Sequence, residues 1–347
     1  MRLPGFAVQF QRDVEQINSA TRSVVNKTAG LDERSLLKKL FHPEDHTPAG
    51  LSPPPELAVN FYHDELEEYT SIGSKAIQDG KVAYCVMAGG SKSLLRIPEL
   101  GMSLLTLKLF QGIGTGPIWI VVSPQNKSAV EDHLASQVGI DMRRIKLLEQ
   151  YVSYRLTPDN QIIFGTEGPE LYPCGHGDLF PVLLETGVLK EFISSGGLYV
   201  SVVNVDNVFG TLDSAVVGHH ISSSSEVTCE VVKRKPDESG GVLVDTAVGL
   251  QIVELFRLLG HDTEQYTWLN TNSFVFNAQL DLSSLGSIFH RVQRCVDEKI
   301  VVQHERLLQE ITEKYKTTYL GVIRSDRFMP IKTTQDLNNV RNMIITD

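Results

Sequence analysis

A short apolar run near the middle of the chain constrains the fold more than any other stretch. Residues 199–203, Tyr-Val-Ser-Val-Val, are nearly all apolar and β-branched, which suits a buried parallel strand and is too short for a typical helix. The run leads directly into Asn204-Val-Asp206-Asn207. In open α/β sheets, ligand-binding groups lie at the carboxyl ends of the strands. This stretch therefore predicts an α/β fold with a site after the strand.

Asn204 and Asp206 are two residues apart, so they project to the same side while the strand persists. A carboxylate in this place suits a hard cation such as Mg²⁺, which takes oxygen ligands and usually shares them with substrate phosphate. Asn and Asp also make good turns, and a purely structural turn after the strand is the alternative interpretation. The residues of this stretch leave both interpretations open.

From residue 82 onward, short apolar strands alternate with amphipathic helices, which predicts a mostly parallel sheet with helices on both faces. Strands are predicted at 82–87, 117–122 and 144–148, and helices at 100–110, 126–138 and 177–192. After residue 226 strands dominate, at 226–232, 241–244, 251–255 and 267–276, before a terminal helix at 334–344. The serine run at 222–225 is interpreted as a loop.

The first 80 residues differ from this pattern and are predicted to form a helical extension. Helices are predicted at 6–25 and 31–41, followed by a Pro-rich connector at 42–55. The acidic, helical stretch that follows has Asp64, Glu65, Glu67 and Glu68 on a solvated face. We therefore expect an extension at 1–80 and a main α/β domain at 81–347.

Composition excludes several classes of protein. The net charge of −10 argues against a broad nucleic-acid surface. The four cysteines, Cys85, Cys174, Cys229 and Cys295, have neither metal-ligand nor disulfide spacing, and Cys85 and Cys229 lie in apolar runs that predict burial. No segment approaches the roughly 18 apolar residues of a membrane span, and the start of the chain lacks the apolar core of a signal peptide. We expect a cytoplasmic protein that binds neither nucleic acid nor membrane.

Three more stretches carry residues suited to phosphate binding, each with a structural alternative. Gly89-Gly-Ser-Lys-Ser93 follows a predicted strand, and its glycines and lysine could approach a phosphate or simply make a turn. In Cys174-Gly-His-Gly-Asp178, an imidazole precedes a helix start that favours anions, whereas Asp178 alone could serve as an N-cap. Lys332 precedes Thr333 and Thr334, which could cap the last helix.

These stretches together resemble the motifs of the UDP-glucose pyrophosphorylase family, the UTP–glucose-1-phosphate uridylyltransferases. The family's Pro-Gly-His-Gly-Asp is similar to Cys174-Gly-His-Gly-Asp178, and its Ser-Asn-Ile-Asp-Asn to Val203-Asn-Val-Asp-Asn207. Its Asn-Thr-Asn stands at 270–272, and its Arg-Phe-Leu-Pro-Val-Lys-Thr-Thr-Ser-Asp-Leu matches 327–337 with conservative changes. Four motifs in the family's order make this resemblance specific, and it extends from about residue 82 onward.

The resemblance implies a Rossmann-like nucleotidyltransferase core of the glycosyltransferase-A type, with a mixed, mostly parallel sheet. It implies a Mg²⁺-dependent reaction in which UTP and glucose 1-phosphate give UDP-glucose and pyrophosphate, by a protein that we expect to be monomeric. Carried over by motif, the catalytic residues are Lys92 and Lys332, and Asp206 holds Mg²⁺. The nucleotide-binding residues are Gly89, Gly90, Gln150 and Gly175. The sugar-phosphate-binding residues are His176, Asn204, Glu254, Asn270 and Asn272.

Two departures from the family pattern give a second hypothesis. Family members have a longer glycine-rich loop that cradles the triphosphate, whereas Gly90 here runs directly into Ser91. The chain also lacks the family's C-terminal β-helix. The alternative to an enzyme is therefore a nucleotide-sugar-binding homologue whose catalysis is impaired by the loss of the loop.

Overall fold

The computed structural model describes residues 47–61, 65–90, 92–166, 168–236, 238–258, 260–286 and 288–346, with side chains as far as residue 341. The predicted helices at 6–25 and 31–41 lie outside the described residues. Within the described part of the chain, no helix is long and apolar enough to cross a membrane.

A ten-stranded mixed sheet forms the centre of the molecule. The strands are β1 (Val59–Asn60), β2 (Val82–Met87), β3 (Arg96–Ile97), β4 (Met102–Ser103), β5 (Ile118–Val122), β6 (Ile145–Glu149), β7 (Val152–Tyr154), β8 (Phe164–Gly165), β9 (Gly168–Pro169), β10 (Leu171–Pro173), β11 (Tyr199–Asn204), β12 (Val227–Lys233), β13 (Gly241–Thr246), β14 (Gly249–Glu254), β15 (Trp268–Asn277), β16 (His290–Val296), β17 (Lys299–Glu305) and β18 (Thr317–Gly321). Their order in the sheet is β1-β18-β12-β15-β11-β2-β5-β6, and the β13–β14 hairpin joins at β15. Along this path every neighbouring pair is parallel except the two that involve β15.

Helices cover both faces of the sheet. They are α1 (Leu66–Gln78), α2 (Leu104–Gln111), α3 (Lys127–Ala135), α4 (Leu179–Glu185), α5 (Val188–Ser194), α6 (Ser214–Ser223), α7 (Ile311–Lys314), α8 (Arg324–Arg327) and α9 (Thr334–Thr346). Side chains alternate between two cores along β2: Cys85 and Met87 pack with α4 and α5, whereas Tyr84 and Val86 pack with α1, α2, α3 and α6. The predicted α/β class, with a mixed and mostly parallel sheet, is confirmed.

Helix α1 packs unusually closely against α6 because glycines stand where the two backbones meet. A Cβ atom added to Gly73 would lie 1.9 Å from the carbonyl oxygen of Ser214, and one added to Gly218 would lie 1.8 Å from that of Tyr69. The acidic side chains of Glu67 and Glu68 are exposed, as predicted. The helix before the first long strand is therefore fixed to the main body by backbone contact.

Two helical predictions were wrong in detail. The predicted helix at 177–192 is two helices, because Gly187 adopts a left-handed conformation with φ of 73° between α4 and α5. The serines at 222–225 are not all loop, since α6 includes the first two and ends at Ser224 with φ of 51°. This helix was not predicted, although the Asp213 carboxylate caps it by accepting hydrogen bonds from the amides of Ala215 and Val216.

The cysteines and the last helix follow the predictions. Cys85, Cys174 and Cys229 are buried, and Cys295 on the β16–β17 hairpin is exposed. Helix α9 begins after Thr333, whose hydroxyl accepts a hydrogen bond from the Asp336 amide at 3.2 Å. The Asp336 carboxylate accepts in turn from the Thr333 amide at 2.7 Å. This reciprocal arrangement resembles a capping box and fixes the backbone beside Lys332.

Candidate functional site

Polar residues from distant parts of the chain meet at one edge of the central sheet. Strands β2, β6 and β11 end there, and β15 begins there because it runs in the opposite direction. A cavity of about 170 Å³ at this edge is lined by seven predicted residues: His176, Asn204, Asp206, Glu254, Asn270, Asn272 and Lys332. A second cavity, of about 730 Å³, shares His176, Glu254 and Lys332 with the first and extends to the β16–β17 hairpin.

The asparagines form one side of the small cavity. The Asn272 side-chain amide donates to the Asn204 carbonyl oxygen Oδ1 at 2.9 Å, and the Asn272 backbone amide donates to Asn270 Oδ1 at 2.8 Å. Asn272 has a positive φ of 59°, and its own Oδ1 is buried without a hydrogen-bond partner among the described residues. A buried acceptor without a partner is costly, so this atom is suited to receive a hydroxyl donor from a ligand.

Asp206 lies on the other side of the cavity in a cationic environment. Burial raises the pKa of its carboxyl group, whereas the nearby ammonium groups of Lys332, Lys92 and Lys108 act in the opposite direction. Among the described residues, no group of three or more His, Cys, Asp or Glu side chains is placed to hold a metal. A single carboxylate still fits Mg²⁺, because this ion commonly binds one or two protein carboxylates together with substrate phosphates and water.

The two predicted catalytic lysines are joined through the backbone. The Lys92 ammonium donates to the carbonyl oxygens of Ile331 and Lys332, at 3.1 and 2.7 Å. The Lys332 side chain is exposed and lines both cavities. Lys92 lines neither of these two cavities. Its ammonium group is bound to the backbone of the segment that carries Lys332.

The predicted nucleotide-binding residues lie beside the cavities. Gln150, which follows β6, is buried against Gly89, which follows β2. A Cβ atom added to Gly89 would lie 2.3 Å from Gln150 Oε1, whereas one added to Gly90 would meet no atom of the described residues within 4 Å. Gly89 is therefore required for the position of Gln150, and Gly90 borders open space.

His176 is held in a defined hydrogen-bonding state. Its Nδ1 accepts a hydrogen bond from the Leu308 amide at 2.7 Å, which assigns the proton of the neutral ring to Nε2. Burial, assisted by the positive charge of Arg294, lowers the pKa of His176 to about 4. At neutral pH the ring is therefore an uncharged donor at the junction of the two cavities.

The loop that carries His176 is fixed by Arg306. Gly175 has φ of 94°, and a Cβ atom there would lie 2.5 Å from the Arg306 carbonyl oxygen. The same carbonyl accepts a hydrogen bond from the Gly177 amide at 3.0 Å, and the Arg306 amide donates to the Cys174 carbonyl at 2.7 Å. Only glycine fits at these contacts, which explains the Gly-His-Gly pattern.

Asp178 anchors this loop, and it stands at the N-cap position of α4, as the structural alternative expected. Its side chain makes no capping hydrogen bond to α4. Instead Oδ1 accepts from the Arg306 guanidinium at 2.8 Å, and Oδ2 accepts from the Tyr151 amide at 3.0 Å. Both members of the Asp178–Arg306 pair are fully buried. The guanidinium lies over the Phe289 ring, 4.3 Å from its centroid.

Glu254 is placed at the junction of the two cavities. Its Oε1 accepts a hydrogen bond from the Gln309 side chain at 2.7 Å, and burial raises the pKa of its carboxyl group. Two residues that the sequence did not indicate also support the site: Arg306, described above, and Lys108. The Lys108 ammonium is fully buried and donates to the carbonyl oxygens of Val208 and Gly210, directly behind Asp206.

Comparisons with known proteins agree with this architecture. The sequence profile of the UTP–glucose-1-phosphate uridylyltransferase family matches residues 114–346. A UTP–glucose-1-phosphate uridylyltransferase from Hordeum vulgare is 30% identical over 188 residues, which are 50% of this chain and 40% of the relative. One from Encephalitozoon cuniculi is 25% identical over 189 residues, 51% of this chain and 38% of the relative.

Solved structures share the fold at low sequence identity. A UDP-N-acetylglucosamine pyrophosphorylase from Trypanosoma brucei superimposes with a TM-score of 0.75 at 17% identity, covering 96% of this chain and 80% of that one. A UDP-glucose phosphorylase from the same organism gives 0.72 at 20% identity, covering 93% and 79%. The alignments with the curated relatives named above span about two fifths of the length of each relative.

Proposed function

This chain belongs to the UTP–glucose-1-phosphate uridylyltransferase family, and we propose that it transfers a uridylyl group from UTP to a sugar 1-phosphate with release of pyrophosphate. We propose glucose 1-phosphate as the sugar phosphate, Mg²⁺ as the cofactor, and a monomer in the cytoplasm as the working form. One observation carries the proposal: seven predicted site residues, far apart in sequence, line a single small cavity.

The residues of the cavity suit this reaction. A phosphate oxygen of the sugar 1-phosphate attacks the α-phosphorus of UTP, the new P–O bond forms, and the bond to pyrophosphate breaks. The step needs in-line positioning and neutralisation of charge rather than a nucleophilic side chain. Lys332 supplies a positive charge beside Asp206, and the neutral Nε2–H of His176 can donate to a phosphate oxygen.

The asparagines suit the sugar. The unpartnered Oδ1 of Asn272 can accept a hydrogen bond from a sugar hydroxyl, and the Asn204–Asn272 hydrogen bond fixes both amides for this purpose. Asp206 would hold Mg²⁺, which would neutralise charge that develops on the phosphates. No covalent intermediate on sulfur is proposed, since Cys85, Cys174 and Cys229 are buried.

Pyrophosphate release by the purified protein tests the proposal. The assay supplies UTP and Mg²⁺ with glucose 1-phosphate, and then with galactose 1-phosphate or N-acetylglucosamine 1-phosphate in competition. We expect glucose 1-phosphate to be the preferred substrate. Absence of turnover with every sugar phosphate at saturating UTP and Mg²⁺ would reject the proposed activity, and preference for another sugar would reject only the substrate.

Replacement of Asp206 by Asn provides a sharper test. The change retains size and one oxygen but removes the negative charge, so we expect a loss of about 10²–10³ in kcat and a higher Mg²⁺ requirement. Asp262→Asn is a matched control, because Asp262 is an exposed turn residue whose carboxylate accepts from the Glu264 amide. If both variants keep wild-type activity and metal dependence, Asp206 is only a turn residue.

A second candidate function is nucleotide-sugar binding without turnover. It is favoured by the position of Lys92, whose ammonium is bound to backbone carbonyls in place of an open cavity. It is also favoured by the short connection from Gly90 to Lys92. Calorimetry with UDP-glucose separates the two candidates: binding without pyrophosphate release supports this one, and absence of binding rejects it.

A further inference from the structure

A short ladder of hydrogen bonds joins the Asp206 turn to the segment that carries Lys332. The Ile331 amide donates to the Asp206 carbonyl at 2.9 Å, and the Val208 amide donates to the Met329 carbonyl at 3.1 Å. Asn207 and Pro330 face each other as an isolated antiparallel bridge. Pro330 has no amide hydrogen to donate, so the backbone alone cannot complete this ladder.

The side chain of Asn207 completes it. Its amide nitrogen Nδ2 donates to the Arg327 carbonyl at 3.0 Å, and its Oδ1 accepts from the Met329 amide at 2.9 Å. The side chain thus makes two bonds of the kind that a neighbouring strand would make. Asn207 is 1% exposed. Since both of its polar groups are occupied by the backbone, they are not available to a ligand.

Close packing behind Asn207 leaves this arrangement little freedom. A Cβ atom at Gly210 would lie 2.7 Å from Asn207 Nδ2, so glycine is needed there for the amide to fit. Lys108 binds the carbonyl oxygens of Val208 and Gly210 and closes the turn from the other side. The turn therefore couples the position of the 327–332 segment to that of Asp206, which is the residue next to Asn207.

We propose that Asn207 is a positioning residue that holds the Lys332 ammonium in register with the Asp206 carboxylate. This inference rests on the proposed function for its catalytic consequence. Its structural basis is independent of that function, because the hydrogen bonds join only protein groups. Loss of the amide removes the hydrogen bonds to the Arg327 carbonyl and from the Met329 amide, and the segment that bears Lys332 can then shift relative to Asp206.

The test compares Asn207→Ala with Asn277→Ala. Asn277 also makes two side-chain hydrogen bonds, to His220 and to the Ser225 carbonyl, but it lies at the opposite end of β15 from the cavity. Both variants should lose thermal stability. Only Asn207→Ala should lower kcat, by about 10–100-fold, as is typical when a supporting hydrogen-bond partner or a geometric constraint is removed.

Calorimetric affinity for UDP-glucose, measured with Mg²⁺ and with a chelator, supplies a readout that does not depend on turnover. We expect weakening of about tenfold or more for Asn207→Ala in Mg²⁺ and wild-type affinity for Asn277→Ala. If Asn207→Ala does not fold, Asn207→Ser, whose single neutral hydroxyl replaces the donor and acceptor groups of the amide, is measured in its place with the same expectation for kcat.

The outcomes separate this inference from the proposed function. Wild-type kcat and wild-type UDP-glucose affinity in the folded Asn207 variant would overturn the positioning role, and so would equal losses in the Asn277 control. If the wild-type protein releases no pyrophosphate, the proposed function fails. The affinity comparison then still decides whether Asn207 positions the site.

Discussion

The buried Asp178–Arg306 pair allows a quantitative prediction about the loop that carries His176. Both side chains are completely inaccessible to solvent, and their charged atoms are 2.8 Å apart. Replacing Arg306 by Met retains much of the packing over Phe289 but leaves the Asp178 carboxylate buried without a countercharge. Removing one member of such a pair typically costs about 3–5 kcal/mol, so we expect a loss of that size in the free energy of unfolding.

The double variant Arg306→Met/Asp178→Asn should recover part of this loss. The amide that replaces the carboxylate at position 178 is neutral and can still accept a hydrogen bond from the Tyr151 amide. The remaining loss in the free energy of unfolding is then the cost of burying polar atoms that have lost their partner, about 1–2 kcal/mol. The two substitutions should therefore be non-additive by about 2 kcal/mol or more. Urea unfolding of the wild type, both single variants and the double variant measures this coupling.

The cost of Arg306→Met should also depend on pH. Burial already raises the pKa of Asp178 to about 6, and loss of the guanidinium raises it further. The folded variant then binds a proton more readily than the unfolded chain, so its stability rises as pH falls, and the cost is largest at pH 8 and smaller at pH 5. Additive single variants, or a cost below about 1 kcal/mol at pH 8, would refute this reasoning.

Two further predictions concern Gly89 and His304. Gly89→Ala should displace Gln150 and weaken UDP-glucose binding by about tenfold or more, because the new methyl group would lie 2.3 Å from Gln150 Oε1. Gly90→Ala, whose new methyl group meets no atom within 4 Å in the part of the chain that is described, should bind normally in calorimetry. Burial lowers the pKa of His304 to about 4, and its ring nitrogens have no hydrogen-bond partner among the described residues. The unfolded chain therefore takes up a proton as pH falls from about 6.5 to 4, which lowers stability in that window. His304→Leu should make this decline shallower by about 1.4 kcal/mol per pH unit in urea unfolding, and an unchanged slope would contradict the assignment.

The long inner strands were predictable because burial on both faces gives a continuous apolar pattern, whereas β16, β17 and β18 were not predicted. The run at 82–87 was placed without error, and Tyr199–Asn204 extends the predicted strand by one residue. Helix ends were less predictable. The apolar positions of 177–192 continue across Gly187, so the pattern hides the break, although a glycine that can adopt positive φ is a known helix terminator.

The residues of the site also fall into those that a local sequence pattern reveals and those that it does not. Residues in local motifs, such as His176 and Asp206, could be identified because glycines and turn formers surround them in the sequence. Arg306 could not, since its importance comes from Asp178, which is 128 positions earlier in the chain. Lys108 was equally hidden: an apolar helix with one lysine gives no sign that the ammonium is buried behind the Asp206 turn.

The hydrogen bond from Lys92 to the Lys332 carbonyl joins residues that are 240 positions apart. At typical translation rates, about 12–50 s separate the synthesis of its two ends. During this time the Lys92 ammonium lacks its acceptors, the carbonyl oxygens of Ile331 and Lys332. The Lys332 side chain can reach the cavity only when residue 332 has been made. Binding that needs the Lys332 ammonium therefore requires a polypeptide whose synthesis has passed residue 332.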